Sequence, residues 1–418
     1  MFASYLDYDY NDFSSNFKAI KQSNSLKATK EKRKNQRCRV FEIKVRKNRL
    51  NKTQLEHLNM IFVEAKWIYN DILNDITNCN ENYVKNLKEV KVKYPNGFIN
   101  KKISYISSQM KQSIVNNIKN SIKALSKLKK NYKVGCLKFL SEYKSIDLKQ
   151  FNTTYKIKGN SIKLQGLSKP IKVSGLDQIK SNYDIANAKI VKRLDDFYFY
   201  ITTYFIDDKE RIDEVIGIDL GKANQLNLSN KIAIRYQFSE SENTKRLAIA
   251  LSNKDKGSKS FIKTKNLLRK SYIKDNNRKK DCINKIFHYL DNYKYIAIQD
   301  DNIDSWKKTN ARTIQYSSLG AIKSKLKNLE SFRVDFIDRF VATTKICSNC
   351  GNIKDMSLKD RVYKCPICNL KLDRDLNSAY NMIKLSKFVA TDRSKIDTLN
   401  NKDLLNISIY PEVLIRSL

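Results

Sequence analysis

The chain has 418 residues, 41% of them hydrophobic and 10% aromatic, which is enough apolar material for two or three cores and too much for a disordered chain. Lys plus Arg outnumber Asp plus Glu by 81 to 43, a formal net charge of +38 spread along the whole sequence, so a polyanion is the natural partner. Genome-driven enrichment of Lys is the competing explanation, but such a bias should favour Glu as well, and acids are scarce.

No run of eighteen apolar residues occurs, and the start, MFASYLDYDYND, lacks the basic flank and apolar stretch of a leader, so the expectation is a cytoplasmic protein with no membrane partner. Residues 1–36 end in SLKATKEKRKNQR and read as a basic flexible extension. RCRVFEIKV (37–45) sets Val40, Glu42 and Val45 against Phe41 and Ile43 in strand fashion. Thr53 and Glu56 then form a candidate capping box, followed by Leu55, Leu58, Ile61, Phe62, Ala65, Ile68, Tyr69, Ile72 and Leu73 at helical spacing. A second helix is predicted over 107–130, with Met110, Ile114, Ile118, Ile122 and Leu125 on one face; the lysines opposite read equally as a solvated or a phosphate-facing surface. From 145 to 206 the pattern becomes short alternating segments broken by Gly and Pro, which suggests a small barrel or sandwich. Because 37–45 is also a strand, the helices of 52–133 read as an insertion into that β unit. After 215 the order is three strands, a long basic helix (about 258–291), the strand YIAIQ, a helix near 316–330 and the strand FRVDFIDRF, an α/β pattern.

Eight cysteines divide into four scattered ones (Cys38, Cys79, Cys136, Cys282) and two C-x-x-C pairs, Cys347 with Cys350 and Cys365 with Cys368, fourteen residues apart. Four thiolates at this spacing can close a tetrahedral site for one structural Zn²⁺, and an irregular segment with few apolar residues needs such a tie to fold. Three apolar segments each deliver carboxylates. Asp219 ends IGIDLG, where Gly221 lets the chain turn closely past it; Asp300 and Asp301 follow the strand ending at Gln299; and Asp375 lies in LDRDLNSAYNMIKL, at the start of a helix whose Leu376, Ala379, Ile383 and Leu385 can pack on a sheet. Each alone reads as well as a turn residue or a helix cap, with Asp373 and Asp375 both able to cap. Together they are the set that two-metal phosphodiester hydrolysis requires: acidic oxygens for two Mg²⁺ ions, in a chain with only two histidines.

With IGIDLG, KGSKSFIKTKNLLRKSY, IQDDNIDSW, TTKICSNCG…YKCPIC and DRDLNSAYNM in this order, the chain resembles the TnpB family, transposon-encoded RNA-guided DNA nucleases related to the miniature type V CRISPR effectors. The resemblance implies a RuvC-like nuclease domain of RNase H fold (214–342 and 372–388) carrying a zinc-ribbon insertion (343–371). It also implies a β-barrel wedge domain (37–50 and 136–213) carrying a helical recognition insertion (51–135); residues 389–418 form a tail without interpretable pattern. Asp219 and Asp375 match the first and last catalytic acids. For the middle acid, strict strand alignment gives Gln299, which would leave a dead nuclease or a non-cutting, repressor-like binder; alignment on Asn302, Ile303 and Trp306 gives Asp301, the favoured ligand, with Asp300 second. A guide RNA and double-stranded target DNA are the implied partners, bound by one chain or a homodimer in a prokaryotic, nucleoid-associated setting. Lys256, Lys259, Lys263, Lys265, Arg269 and Lys270 are candidate backbone contacts or an ordinary solvated face.

Overall fold

A computed structural model of the chain describes residues 24–25, 27–95, 97–129, 134–236, 238–329, 333–357, 359–388 and 413–417. Most of the expected basic extension (1–23) and of the C-terminal tail (389–412) lies outside the described residues. The chain divides into two compact units, Met1–Asp208 and Lys209–Leu418.

In the first unit, residues 27–34 are helical, with Lys32 paired to Asp184 at 2.7 Å, where the sequence pattern offered only a flexible run. β1 (Arg37–Val45) buries Phe41, Ile43 and Val45 and exposes Val40 and Glu42, so Val45 joins the Phe41 face rather than the Val40 face assigned to it from sequence. Strict two-residue alternation puts all three odd-numbered residues inside. Further strands are β2 (Glu89–Tyr94), β3 (Gly97–Lys102), β4 (Ser145–Leu148), β5 (Tyr155–Lys158), β6 (Ser161–Leu164), β7 (Ile171–Ser174), β8 (Asp184–Arg193) and β9 (Asp196–Phe205). Seven of them form an antiparallel sheet, order β4-β8-β9-β1-β7-β6-β5, that curls into a near-closed barrel, with β1 between β9 and β7; β2 and β3 make a separate hairpin.

Between β1 and β4 run α1 (Lys52–Asn74), the short α2 (Glu81–Asn86) and α3 (Ser108–Lys129). The capping box of α1 is Asn51 with Gln54, each side chain accepting from the other's backbone N–H, two residues before the expected Thr53–Glu56 pair, because Asn51 still has extended dihedrals and Thr53 is already helical. Glu64 on α1 is fully buried and accepts from the backbone N–H groups of Ser104, Tyr105 and Ile106 at 2.8–2.9 Å, which holds the approach to α3. α3 buries Met110, Ile114, Val115 and Ile118, and then emerges into solvent at Ile122, 38% exposed.

The second unit is built on a mixed sheet of β10 (Ile212–Leu220), β11 (Leu226–Leu228), β12 (Ile232–Tyr236), β13 (Tyr293–Gln299), β14 (Val334–Ile337) and β17 (Val413–Ser417), order β14-β13-β10-β11-β12-β17. β10, β13 and β14 run parallel, whereas β11, β12 and β17 continue antiparallel on the other side. The connecting helices are α4 (Glu242–Ser252), α5 (Lys259–Leu290), α6 (Ile303–Ser317), α7 (Leu319–Lys327) and α8 (Arg374–Leu385), with the hairpin strands β15 (Val362–Lys364) and β16 (Lys371–Asp373) before α8. α6 was missed by periodicity. The Asn302 side chain caps it at the Ser305 N–H, and Ser318, at φ 52°, separates it from α7, which is the helix expected near 316–330.

Even-numbered Ile216, Ile218, Ile296 and Ile298 face one core with Ile283 and Ile286 of α5 and Ile322 and Leu326 of α7. The odd-numbered face carries Ala297 against Met382 of α8. A Cβ on Gly217 would lie 2.0 Å from the carbonyl oxygen of Ala379, so only glycine lets α8 sit this close to β10. Asp291, past the end of α5, is buried with Arg333 at 2.8 Å and Arg211 at 3.4 Å. Among the described residues no helix is long and apolar enough to cross a membrane.

Candidate functional site

Asp219, Gln299 and α8 meet on the odd-numbered face. Asp219 leaves the end of β10, where a Cβ at Gly221 would meet the backbone oxygen of Asn224 at 2.5 Å, as the expected close turn requires. Ser378 of α8 donates to Asp219 Oδ1 at 2.9 Å. Burial first, then the negative charges of Asp375 and Asp301, push the Asp219 carboxyl up to about 8, against the pull of Ser378 and Arg374. Asp219 therefore sits in the field of both other predicted acids, although the three carboxylates do not crowd together: among the described residues the only group of three or more metal-ligating side chains within 4.8 Å of one another is the cysteine set.

The other two acids are held differently. Asp373 is the N-cap of α8, accepting from the Asp375 and Leu376 N–H groups at 2.9 and 3.2 Å, which resolves the two capping candidates and frees the Asp375 side chain. Asp375 takes Arg374 at 3.2 Å and Arg361 at 3.5 Å. Asp301 lies just past β13 with its carboxyl raised to about 6 by burial, and further by Asp300, while Lys323 opposes. Asp300 is paired with Lys323 at 2.5 Å and Lys327 at 3.3 Å, and these lysines, the Lys323 hydrogen bond first, hold its carboxyl below the ordinary range.

Gln299, at the position strict alignment gives the middle acid, is committed to structure. Its Nε2 donates to the carbonyls of Val341 at 2.7 Å and Asp338 at 3.2 Å. Its Oε1 faces Thr343 Oγ1 at 3.4 Å, Thr343 meets Ser378 at 2.9 Å, and Ser378 meets Asp219. Thr343 has one hydroxyl proton, and the shorter approach to Ser378 is the better use of it. This chain of neutral groups behind Asp219 was not foreseen from sequence.

In the ribbon, Cys347 and Cys368 Sγ are 3.6 Å apart and Cys350 and Cys365 Sγ 3.5 Å, all four lying within 4.8 Å. Zinc–sulfur bonds of about 2.3 Å imply sulfur separations near 3.8 Å around a tetrahedral ion, so the set fits zinc with a small expansion. Backbone N–H of Leu370, then the Asn349 side chain, lower the Cys368 thiol to about 6, whereas Cys350 is pushed up to about 12, the Asn352 backbone N–H being outweighed by burial and the neighbouring cysteines. α8 is stapled to the first knuckle: Asn377 Oδ1 accepts from Ser348 N–H at 2.9 Å, and Asn377 and Asn381 each donate to Ile346 O at 2.7 Å. These polar residues are buried, while Leu385, expected on the packed face, is 43% exposed.

Lys256, Lys259, Lys263, Lys265, Arg269 and Lys270 are all exposed. The last five lie on α5, about 48 Å long at 1.5 Å per residue. At 100° per residue, Lys259, Lys263 and Lys270 fall within ~40° of one another, and Lys265 and Arg269 form a second stripe.

Fold and site define an α/β sheet protein whose acid-bearing last helix is bound to a four-cysteine ribbon. Residues 320–382, spanning α7, the ribbon and most of α8, match the family model described as Cas12f1-like, TNB domain. Two TnpB-like proteins of Acanthamoeba polyphaga mimivirus are each 34% identical over 135 residues, 28% of this chain and 25% of theirs. A proposed RNA-guided DNA endonuclease of Streptomyces pristinaespiralis is 26% identical over 178 residues, 40% of this chain and 44% of its own. The chain thus spans about a quarter of the length of the mimivirus relatives and under half of the bacterial one. Over these stretches the chain is similar to the TnpB family.

Proposed function

We propose that the protein is an RNA-guided DNA endonuclease with a RuvC-like domain of RNase H fold, in which Asp219, Asp301 and Asp375 hold two Mg²⁺ ions. The observation that carries this reading is the seat of Asp219 at the end of β10, where Ser378, one helical turn after Asp375 on α8, donates to its Oδ1 at 2.9 Å; the raised Asp219 carboxyl, with burial first and Asp375 and Asp301 among its causes, agrees with it. The mixed sheet, with β10 central, two parallel strands on one side and antiparallel strands on the other, supports the fold assignment. Bound there, Mg²⁺ would supply Lewis-acid activation of water and stabilisation of the leaving oxygen. The protein's own residues keep the acids apart and oriented: Ser378 fixes one oxygen of Asp219, the Asp373 cap turns Asp375 out of the helix end, and Lys323 and Lys327 hold Asp300 away. The ribbon cysteines would hold one structural zinc. The lysines of α5 with Lys256, together with the barrel and helical insertion, would contact guide RNA and duplex target, the barrel acting as wedge and the helices as recognition module.

The test is cleavage of a target plasmid matched to the RNA that co-purifies with the protein. Asp219→Asn, Asp301→Asn and Asp375→Asn should each abolish cutting, whereas Asp300→Asn, which removes only a partly exposed ion pair, should retain it. Full cutting by Asp219→Asn would overturn the assignment. Target binding without any cutting by the unaltered protein would instead support the non-cutting reading that Gln299 suggests.

A further inference from the structure

β17 (Val413–Ser417) belongs to the C-terminal stretch that has no interpretable sequence pattern. It pairs antiparallel with β12, Arg416 opposite Ala233 and Leu414 opposite Arg235. Ala233 stands opposite Asn227, and Asn227 opposite Asp219. Directly opposed residues on neighbouring strands share a face, so Asp219, Asn227, Ala233 and Arg416 form one row across the sheet, on the side where α8 sits. Three strand spacings of ~4.8 Å put the ends of that row roughly 14 Å apart. Arg235 is the diagonal neighbour of Arg416, about 7–8 Å away between Cα atoms.

Both arginines line a cleft of about 380 Å³ with Arg361, Asn224, Asp373 and Asp375. Its two acids are already engaged, Asp373 with the first N–H groups of α8 and Asp375 with Arg374 and Arg361. Among the described residues, the guanidinium groups of Arg235 and Arg416 have no hydrogen-bond or carboxylate partner. Like-charged guanidinium groups facing one cleft call for an anion, and their planar forks suit a phosphate. A charged edge strand that merely discourages aggregation would need neither arginine specifically nor a shared cleft.

We propose that Arg235, Arg361 and Arg416 seat a backbone phosphate of single-stranded DNA beside Asp375, which makes the C-terminal strand part of the substrate cleft. This rests on the nuclease reading above. The first measurement is independent of cutting: the full chain with its co-purified RNA is treated with phenylglyoxal, with and without a short oligothymidylate, and modified arginines are mapped by mass spectrometry. Arg235, Arg361 and Arg416 should be protected by the oligonucleotide; equal modification with and without it overturns the seat. The second is kinetic. The Arg235→Ala/Arg416→Ala double variant should raise the KM for a single-stranded substrate with kcat preserved, and its logarithmic salt slope of binding should fall by up to about 0.7, the value for one phosphate contact on a single strand. Lysine in place of alanine at 416, with Arg235→Ala kept, should restore part of the affinity. Faster cutting with unchanged KM would mean that the strand occludes the cleft instead, and would overturn the proposal. If the unaltered chain cuts no DNA, the nuclease reading falls while the protection pattern still decides the seat.

Discussion

Gln299 decides how the candidate site is built, because its amide does what a carboxylate cannot. Both Nε2 protons go to carbonyl oxygens, at 2.7 and 3.2 Å, in a side chain only 8% exposed. Glutamate there would turn one carboxylate oxygen toward two carbonyl oxygens, so Gln299→Glu should destabilise the second unit by about 2–4 kcal/mol, read as a lower melting temperature, with no gain in cutting. Increased cutting would instead make residue 299 the metal-ligand position. His57 offers a residue-scale test in the first unit. Burial lowers its imidazole from 6.5, its Nε2 has no partner, and Tyr105 packs edge-on at 5.5 Å. The folded state therefore binds the proton less readily than the unfolded chain. Stability should be complete above 6.5 and fall as the pH drops from there through the folded value. Melting temperatures across roughly pH 5 to 8, compared with those of His57→Gln, check this: the variant should lose the acid-side decline, and an unchanged slope would refute the assignment.

At the scale of elements, the packing of α8 on β10 aligns Asp219 with Ser378. A methyl group at residue 217 would clash with a backbone oxygen, so truncating the partner side chain gives no relief. Gly217→Ala should cost about 1–3 kcal/mol and lower cutting, and Ala379→Gly should not rescue it; thermal melts and the plasmid assay measure both. The sequence made β10 and β13 legible because their continuous apolar runs suit strands buried on both faces. It left α6 unseen because its first apolar residue follows immediately on three polar ones and its start depends on the Asn302 cap, a hydrogen bond that periodicity does not register. The buried face of α8 was misjudged for a related reason. Asn377, Ser378 and Asn381 go inside since the ribbon backbone and Asp219 satisfy them, whereas Leu385, the last residue of α8, is left exposed. Likewise the carboxylates were visible in the sequence, but the lysines of α7 that claim Asp300 come from over twenty residues away.

For the molecule as a whole, each unit has its own core, one running from Phe41 to Ile201 and another from Ile216 to Val334. The ribbon has almost no core of its own: Tyr363 and the cysteines Cys347 and Cys365 are its buried cluster, so α8 and the zinc proposed for its four cysteines would supply its order. Zinc in small modules contributes roughly 10–16 kcal/mol to folding, far more than that cluster could. Asn377 and Asn381 carry the ribbon's state directly to the helix bearing Asp375 and Ser378. Chelation of zinc should therefore release the first knuckle, loosen α8 against Gly217, and lower the melting transition of the second unit, while that of the barrel unit stays in place. Calorimetry on the intact chain before and after chelation, and on Cys368→Ser, tests this. Hydrogen exchange adds the local readout, since the amides of α8 should lose protection and those of β1 and β9 should keep theirs. Both transitions moving together, or α8 remaining protected without metal, would show that the ribbon does not govern the position of the acids.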